Sequence, residues 1–359
     1  MYKIRLLLLA IIAIYISACQ VQTESLKIVP VNLREDSPVK LSEIAGEINK
    51  ISLELTDESL IGTIMRVIYT GDYLIIYDSN GPKVLIFDSQ GKFIRQIGRK
   101  GQGPGEYIII GDIAFDCSEN IIFISTSGNK ILCYNIDGVF LHEYKIYPPE
   151  YIYFQDGYLC LLSTRYGIKS ENGFLNQTML YRMDKKCNPV DSFLVKSVLI
   201  DNPFVGSTFP RKDFVSQVSS QTFFYYPVLT PEPIVRDTLY ELKGSDMIPF
   251  LKLRFSDEGA TTGNNNKTKN LLNIWRSEKF VFANYQNRDG NFYFIHDLKT
   301  GRNANMKDGF IDDINQIQNR INIRPFNFNT EMFYYLHTNM KPDALEEPNP
   351  TLYIGELKK

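Results

Sequence analysis

Apolar and polar residues alternate along most of this chain with the two-residue period of β-strands. Residues 51–55 (ISLEL) are a clear instance, and such alternation marks a strand with one buried face. Turn-forming pairs that tolerate the positive φ of tight hairpins separate the strands: Asn80-Gly81, Gln90-Gly91, Asp137-Gly138 and Asp289-Gly290. No apolar period of 3.6 residues persists, and only residues 271–275 and 312–320 could form short helices. The pattern therefore predicts an all-β protein.

The strand pattern also repeats. Residues 73–77 align without a gap on residues 120–124, Phe87 aligns on Tyr134, and Gly91 aligns on Gly138, an offset of 47 positions. Self-similarity at such a period is typical of arrays in which each repeat is one small sheet. The connector between the two copies, residues 98–107 (GRKGQGPGEY), contains four glycines and a proline.

About six units of this kind fit into the chain. They span residues 60–111, 112–150, 151–197, 215–256, 275–322 and 331–357. These units predict a six-bladed β-propeller with four-stranded antiparallel blades. Because a ring of sheets must not leave unpaired edges, we expect residues 51–55 and 351–355 to pair and close it.

The first 19 residues have the features of a secretory signal. Lys3 and Arg5 precede an apolar run at 6–16 that is too short to span a bilayer, and small residues precede Cys19. Residues 16–19 (ISAC) resemble a bacterial lipobox, which implies that Cys19 is lipidated; the alternative is an ordinary signal peptide cleaved near Ala18. The predicted division is a signal peptide at 1–18, a lipidated tether at 19–45 and the propeller at 46–359. The predicted location is the cell envelope, at the outer membrane.

Composition narrows the classes of partner. The chain has 39 Lys and Arg against 41 Asp and Glu, so it has no basic surplus to neutralise phosphates, and nucleic acid is not expected as a partner. Tyr and Phe, 22 and 23 residues, suit pleated sheets. Four cysteines follow Cys19 and allow three disulfide pairings, but Cys133 and Cys160 lie in apolar strand patterns. We therefore expect Cys117, Cys133, Cys160 and Cys187 to be mostly free.

The repeat resembles a known family. The connector at 98–107, the IAFD of 113–116, the NKILCY of 129–134 and Asp137-Gly138 are similar to the six-bladed β-propeller lipoproteins of Bacteroidetes and, beyond them, to NHL-repeat propellers. Lys130 stands where an NHL repeat usually has Arg. The resemblance implies the propeller fold and an envelope location, and it implies no particular activity because one fold serves many functions.

The glycine-rich connector supplies the candidate ligand-binding residues. Arg99 and Lys100 could bind an anion, with Gln102 and Tyr107 beside them. The structural alternative is that the glycines carry the chain between two blades while Tyr107 packs between the sheets. No P-loop ending is present.

Candidate metal ligands are scattered. Three histidines lie in three different units, and they could meet at a central channel together with two acidic residues: His142, His296, His337, Asp312 and Asp313. Packing or surface positions are the alternative for the histidines, and a solvated turn is the alternative for the acidic pair. Asp112 and Asp116 share one strand face and are expected to bond turns and edges. No cofactor is predicted, and a divalent cation stays an option.

Three functions remain open. The absence of a catalytic constellation favours a non-enzymatic binding or scaffold module for a protein, peptide or glycan ligand. The alternative is a metal-dependent hydrolase or lyase with its site at the channel, which needs two of the three histidines close together. A third interpretation, carbohydrate binding, depends on exposed aromatic residues such as those of the run 223–226 (FFYY).

Overall fold

Six antiparallel sheets form a ring in the computed structural model of the chain. The structure describes residues 26–147, 149–203, 212–228, 234–256, 268–326, 329–338 and 348–359. The predicted six-bladed β-propeller with four-stranded blades is thereby confirmed.

The strands follow one another blade by blade. The chain opens with β1 (Lys27–Val31), α1 (Leu41–Ile44) and β2 (Ala45–Ser52). Blade 1 contains β3 (Ile64–Tyr69), β4 (Tyr73–Asp78), β5 (Lys83–Asp88) and β6 (Phe93–Ile97), and β7 (Arg99–Lys100) and β8 (Glu106–Tyr107) follow. Blade 2 contains β9 (Ile110–Asp116), β10 (Ile121–Thr126), β11 (Lys130–Asn135) and β12 (Phe140–Lys145). Blade 3 contains β13 (Tyr151–Gln155), β14 (Tyr158–Ser170), β15 (Gly173–Met183) and β16 (Pro189–Ile200).

The second half of the ring has the same plan. Blade 4 contains β17 (Val215–Val218), β18 (Gln221–Phe224), β19 (Thr238–Lys243) and β20 (Asp246–Phe255). Blade 5 contains β21 (Lys269–Arg276), β22 (Phe280–Asn287), β23 (Gly290–Asp297) and β24 (Asn303–Lys307). The hairpin of β25 (Phe310–Asp312) and β26 (Ile317–Ile321) leads to β27 (Arg324–Phe326), β28 (Asn329–His337) and β29 (Thr351–Leu357) of blade 6.

The first strand of each blade lies nearest the axis of the ring. These inner strands are β3, β9, β13, β17, β21 and β27, and several of them contact one another directly. We call the face where the inner strands begin the upper face and the face where they end the lower face. The connectors between blades, including residues 98–107, therefore lie on the upper face.

The ring closes as the sequence predicts, by pairing of strands from the two ends of the chain. Strand β2 is the fourth strand of blade 6, and Ile51 pairs with Leu352 of β29. The paired segment is 45–52 rather than 51–55, because residues 53–56 leave the sheet.

The predicted tether is partly folded. Strand β1, inside the segment 19–45, pairs in parallel with β20 and makes a fifth strand of blade 4. Val29 and Val31 of this strand are buried. The propeller therefore includes residues before 46, and the apolar alternation of KIVPV is the local reason. Residues 19–25, the first part of the predicted tether, lie outside the described residues.

Two stretches with possible helical character are sheet instead. Residues 271–275 belong to β21, and residues 312–320 form the β25–β26 hairpin. Blade 5 consequently begins at 269 and ends at 307, earlier than the predicted unit of 275–322. Within the described residues, no helix is long and apolar enough to cross a membrane.

The core is divided among the six interfaces between neighbouring blades. One apolar cluster, for example, joins Ile75 and Ile86 of blade 1 to Ile113 and Ile122 of blade 2. Comparable clusters fill the other five interfaces. Each blade therefore depends on both neighbours.

Candidate functional site

A charged network crosses the upper part of the channel. Arg66, on the inner strand of blade 1, donates from Nη1 to Asp112 Oδ2 at 2.9 Å and to the carbonyls of Ile113 and Ile152 at 2.9 and 2.8 Å. Its Nη2 donates to the carbonyl of Lys212 at 2.9 Å. One guanidinium thus connects blade 1 to blades 2 and 3 and to the segment that leads into blade 4.

Asp112 is the buried carboxylate of this network. Its Oδ2 also accepts the Ile152 N–H at 2.9 Å, while its Oδ1 has no hydrogen-bond partner among the described residues. Burial raises the pKa of Asp112, and Arg66 and Lys212 oppose that rise. Lys212 donates from Nζ to the Gly111 carbonyl at 2.6 Å, and burial lowers its pKa. The bonds of this network connect the blades, so its role is structural.

A funnel opens below Arg66 on the lower face. The cavity has a volume of about 470 Å³ and is lined by the ends of the inner strands of blades 1, 2 and 3, together with Gln217 of blade 4. Such a volume falls in the range of small-molecule sites. Its lining combines aromatic, amide, hydroxyl and carboxylate groups, among them Tyr69, Thr70, Phe115, Tyr153, Phe154, Gln155, Asp156 and Gln217.

The amide of Gln155 is held in a defined orientation. Its Nε2 donates to Thr222 Oγ1 of blade 4 at 2.7 Å. Asp156 follows in the hairpin between β13 and β14, where its φ is +52°, and its side chain is exposed. These two residues therefore present polar atoms from a fixed turn at the mouth of the funnel.

Charged residues of blades 2 and 3 form ion pairs at the rim of the funnel. Lys185 Nζ lies 2.8 Å from Asp116 Oδ2 and also contacts Glu119, and Ser118 donates to Asp116 Oδ1 at 2.6 Å. Burial would raise the pKa of Asp116, but the bonds from Lys185 and Ser118 lower it. Asp116 therefore bonds a turn, as the sequence predicts.

An exposed thiol lies on the same rim. Cys117 lines the funnel and is exposed, whereas Cys133 and Cys160 are buried and Cys187 is half-buried. All four are free, and burial raises the pKa of Cys133 and of Cys160 to about 12. Cys117 thus differs from the others in its access to reagents.

The glycine-rich connector is on the opposite face and has structural contacts. Glu106 Oε1 lies 2.6 Å from Arg99 Nε, and Glu106 Oε2 accepts the Gly103 N–H at 2.8 Å. Tyr107 is 1% exposed and donates its hydroxyl to the Ile97 carbonyl at 2.9 Å. Of the predicted ligand-binding residues, Tyr107 is therefore part of the core between blades 1 and 2. Arg99, Lys100 and Gln102 lie exposed, away from the funnel.

The three histidines do not meet at the channel. His142 is on the outer strand of blade 2, and His337 is at the end of β28. His296 is on the third strand of blade 5, where its Nδ1 lies 2.6 Å from Asn303 Oδ1. No group of three or more His, Cys, Asp or Glu side chains in the described ranges is placed to hold a metal ion.

The two acidic candidates have local partners. Asp312 Oδ1 accepts the N–H groups of Ile314 and Asn315 at 3.1 and 2.8 Å, and its Oδ2 accepts the Tyr335 hydroxyl at 2.7 Å. Asp313 accepts two bonds from Ser42, at 3.0 Å from its N–H and 2.6 Å from its hydroxyl. Both carboxylates thus stabilise the β25–β26 hairpin and its contact with α1.

The aromatic run 223–226 is fully buried. It packs between blade 4 and its neighbours, so these rings cannot stack on a sugar. Sequence reasoning missed Gln155, Asp156 and Gln217 as site residues, because they converge only when the ring forms. The one local signal is Asp156-Gly157, a turn pair that marks the end of an inner strand. Cys19 lies outside the described residues.

Comparison with one solved structure supports the fold. A crystal structure of a Bacteroides fragilis protein assigned as exported is 20% identical, covers 93% of this chain and 100% of its own, and has a TM-score of 0.67. The β-propeller domain of Cps50 (Swd1) from Myceliophteria thermophila is 11% identical, with 87% and 100% covered and a TM-score of 0.45. The relation to NHL repeats stays a prediction.

No curated protein matches the chain significantly. A family profile, by contrast, matches residues 26–358, which include both strands that close the ring and β1. The matched region therefore coincides with the whole propeller, and the chain belongs to the family described as "Domain of unknown function (DUF4934)".

Proposed function

We propose that the protein is a non-enzymatic binding module that takes a protein, peptide or glycan ligand into the funnel of its lower face. The observation that carries the proposal is the funnel itself, a cavity of about 470 Å³ in which four blades place aromatic, amide and carboxylate groups around one mouth. Concave sites with a few convergent polar groups are where ligands bind to proteins.

The proposed location is the outer membrane, with Cys19 as the lipidated anchor. Its support is the signal sequence, the lipobox-like ISAC of residues 16–19 and the similarity to a Bacteroides protein assigned as exported. A Cys19→Ser variant tests it. The variant is expected to move from the membrane fraction to the soluble fraction, and equal membrane retention of both forms would argue against the anchor.

Cys117 allows the binding site to be tested before the ligand is known. The detergent-solubilised full chain is screened on arrays of oligosaccharides and peptides, before and after alkylation with a bulky maleimide. Because Cys117 lines the funnel and is exposed, alkylation is expected to abolish binding of every specific ligand. A Cys117→Ser chain treated in the same way is the control and is expected to keep binding.

Two results would contradict the proposal. Ligands that bind the alkylated chain as well as the untreated chain would place the site elsewhere. Conversion of an array ligand into products, sensitive to a chelator, would show an enzyme instead of a binding module.

A further inference from the structure

A groove continues outward from the funnel between blades 3 and 4. It is a second cavity of about 220 Å³. Tyr153, Gln155 and Asp156 line both cavities, so the two meet at the β13–β14 hairpin. We infer that together they bind a neutral oligosaccharide, with one end in the funnel and the chain directed along the groove. This inference rests on the proposed function.

The length of the groove favours a chain over a single small molecule. Its lining runs from Gln155 on β13, the inner strand of blade 3, to Phe193 on β16, the outer strand. Neighbouring strands lie about 4.8 Å apart, so three spacings give roughly 14 Å. The funnel adds to this length, and the whole exceeds a single sugar ring.

The charges of the lining favour a neutral ligand. Arg182 Nε lies 2.7 Å from Asp191 Oδ1 and neutralises it at the groove, and Lys185 neutralises Asp116 at the funnel. Arg66 is paired with Asp112 at the base. Among the described residues, Asp156 is the lining carboxylate that forms no ion pair, and it would repel an anionic ligand.

The uncharged groups suit hydroxyls. Gln155 and Thr222 are held together by their own hydrogen bond, and Asp156 adds acceptor oxygens at the junction. Tyr158 and Phe193 place aromatic rings in the groove, and Tyr158 is 36% exposed. Rings that offer an apolar face, beside groups that accept and donate hydrogen bonds, match the two faces of a sugar.

An extended peptide fits the groove less well. Peptides commonly bind by adding a strand to a free sheet edge. The groove is lined by side chains from the faces of blades 3 and 4, whose strands β13 to β16 and β17 to β20 are paired within their sheets. No strand edge runs along the groove in the part of the chain that the structure describes.

The test uses oligosaccharides of increasing length with the full chain in detergent. The neutral probes are cello-, manno-, xylo- and malto-oligosaccharides of one to six units, the acidic probes are alginate oligomers, and a random hexapeptide library represents peptides. Affinity is measured by calorimetry, and protection of Cys117 from alkylation reports on the funnel. At least one neutral series is expected to bind, with affinity that rises with length.

A variant pair locates the groove. Tyr158→Ala is expected to weaken binding of the hexamer about fivefold to tenfold, as truncation of a contact ring commonly does, and to leave the shortest binding sugar unchanged. Tyr147→Ala is the matched control, because Tyr147 is 57% exposed and lies before β13 on the upper face. It is expected to have no effect.

The outcomes separate this inference from the proposed function. If peptides bind and protect Cys117 while no neutral sugar binds, the inference of an oligosaccharide ligand is wrong, but the proposed function as a binding module is retained. Preference for the acidic oligomers, or equal loss with Tyr158→Ala and Tyr147→Ala, would also overturn it. Absence of any bound ligand that protects Cys117 would overturn both.

Discussion

Arg66 makes four hydrogen bonds to groups of other blades across the channel. It lies on β3, where the sequence IMRVIY has one charged residue among apolar ones, and the 47-residue repeat places it opposite Ile113. A charged residue at a position where the other copy of the repeat has an apolar one can be recognised from the sequence alone. Three of its four partners are backbone carbonyls. These could not be predicted, because every residue has a backbone carbonyl and the sequence does not show which ones accept a bond.

Replacing Arg66 by Met is expected to lower the free energy of unfolding by about 3–5 kcal/mol, because it leaves the Asp112 carboxylate buried without its partner. The double variant Arg66→Met/Asp112→Asn removes that charge and is expected to recover part of the loss. Urea unfolding followed by fluorescence of Trp275, the one tryptophan, measures both.

The matched control for this experiment is Arg182→Met. Arg182 pairs with Asp191 at the surface, with side chains 29% and 37% exposed, and exposed pairs contribute about 0–1 kcal/mol. Equal losses for the two arginines would show that the channel network does not stabilise the ring.

His296 gives the fold a dependence on pH. The residue is 3% exposed, its Nε2 has no hydrogen-bond partner among the described residues, and burial lowers its pKa below 6.5, with Asn303 and Asp297 opposing and Lys27 adding to the effect. The unfolded chain therefore binds a proton more readily than the folded one as the pH falls below about 6.5, which destabilises the fold.

The free energy of unfolding is accordingly expected to fall between pH 7 and pH 5. His296→Gln, which cannot titrate, is expected to flatten this part of the profile, and His142→Gln at an exposed position is the control. Urea titrations at four pH values measure the slope, and an unchanged slope in His296→Gln would assign the dependence to other groups.

At the scale of elements, the connector 98–107 shows what a sequence motif can and cannot establish. Its glycines predict a passage between blades with Tyr107 between the sheets, and the structure confirms this: Tyr107 is buried among residues of blades 1 and 2. The same motif also suggested a ligand site, because glycines and basic residues serve both purposes. The sequence could not show that Arg99 would pair with Glu106.

Gly98 is a position in this connector where both the backbone conformation and the surrounding side chains oppose a Cβ atom. Its φ is +65°, and an added Cβ would lie 2.8 Å from both Tyr107 Cε1 and Tyr134 Oη. Gly81 has a φ of +79° but nothing within 4 Å of an added Cβ. Gly81→Ala is therefore expected to cost about 1–2 kcal/mol for the backbone conformation alone, and Gly98→Ala more.

Thermal unfolding of the two variants measures the difference. A lower melting temperature for Gly98→Ala than for Gly81→Ala is the expected result, because the clash adds to the same backbone penalty. Equal melting temperatures would mean that the two tyrosines move aside, and that the blade 1 and blade 2 interface is less tightly packed than the structure indicates.

For the molecule as a whole, the fold was more predictable than the site. The repeat of residues 73–77 at 120–124 is local and appears directly in the sequence. The funnel, by contrast, combines inner-strand residues from four blades that are up to about 150 positions apart, such as Ile68 and Gln217. Strand β1 was missed for a related reason: its partner β20 lies more than 200 positions away. Long-range pairing leaves little trace in one sequence.

The pairing of β2 with β29 closes the ring. We expect its loss to affect cooperative unfolding and aggregation in a way that the loss of β1 does not. Deleting residues 351–359 removes β29, which lies between β2 and β28 in blade 6. Both partners then have free edges, and buried Tyr335 loses the ring of Tyr353, 4.7 Å away. We expect this deletion to abolish cooperative unfolding and to cause aggregation, because exposed strand edges pair with other chains.

Deleting residues 26–31 instead removes β1, the fifth strand on the outer edge of blade 4. Four strands of blade 4 and the closing pair remain, so this chain is expected to unfold cooperatively at a lower temperature and to stay monomeric. Circular dichroism and size-exclusion chromatography distinguish the two deletions. If both chains melt cooperatively, the ring does not need its closing strand. If both aggregate, β1 is as necessary to the fold as β29, and the propeller begins at residue 26 in energetic as well as in structural terms.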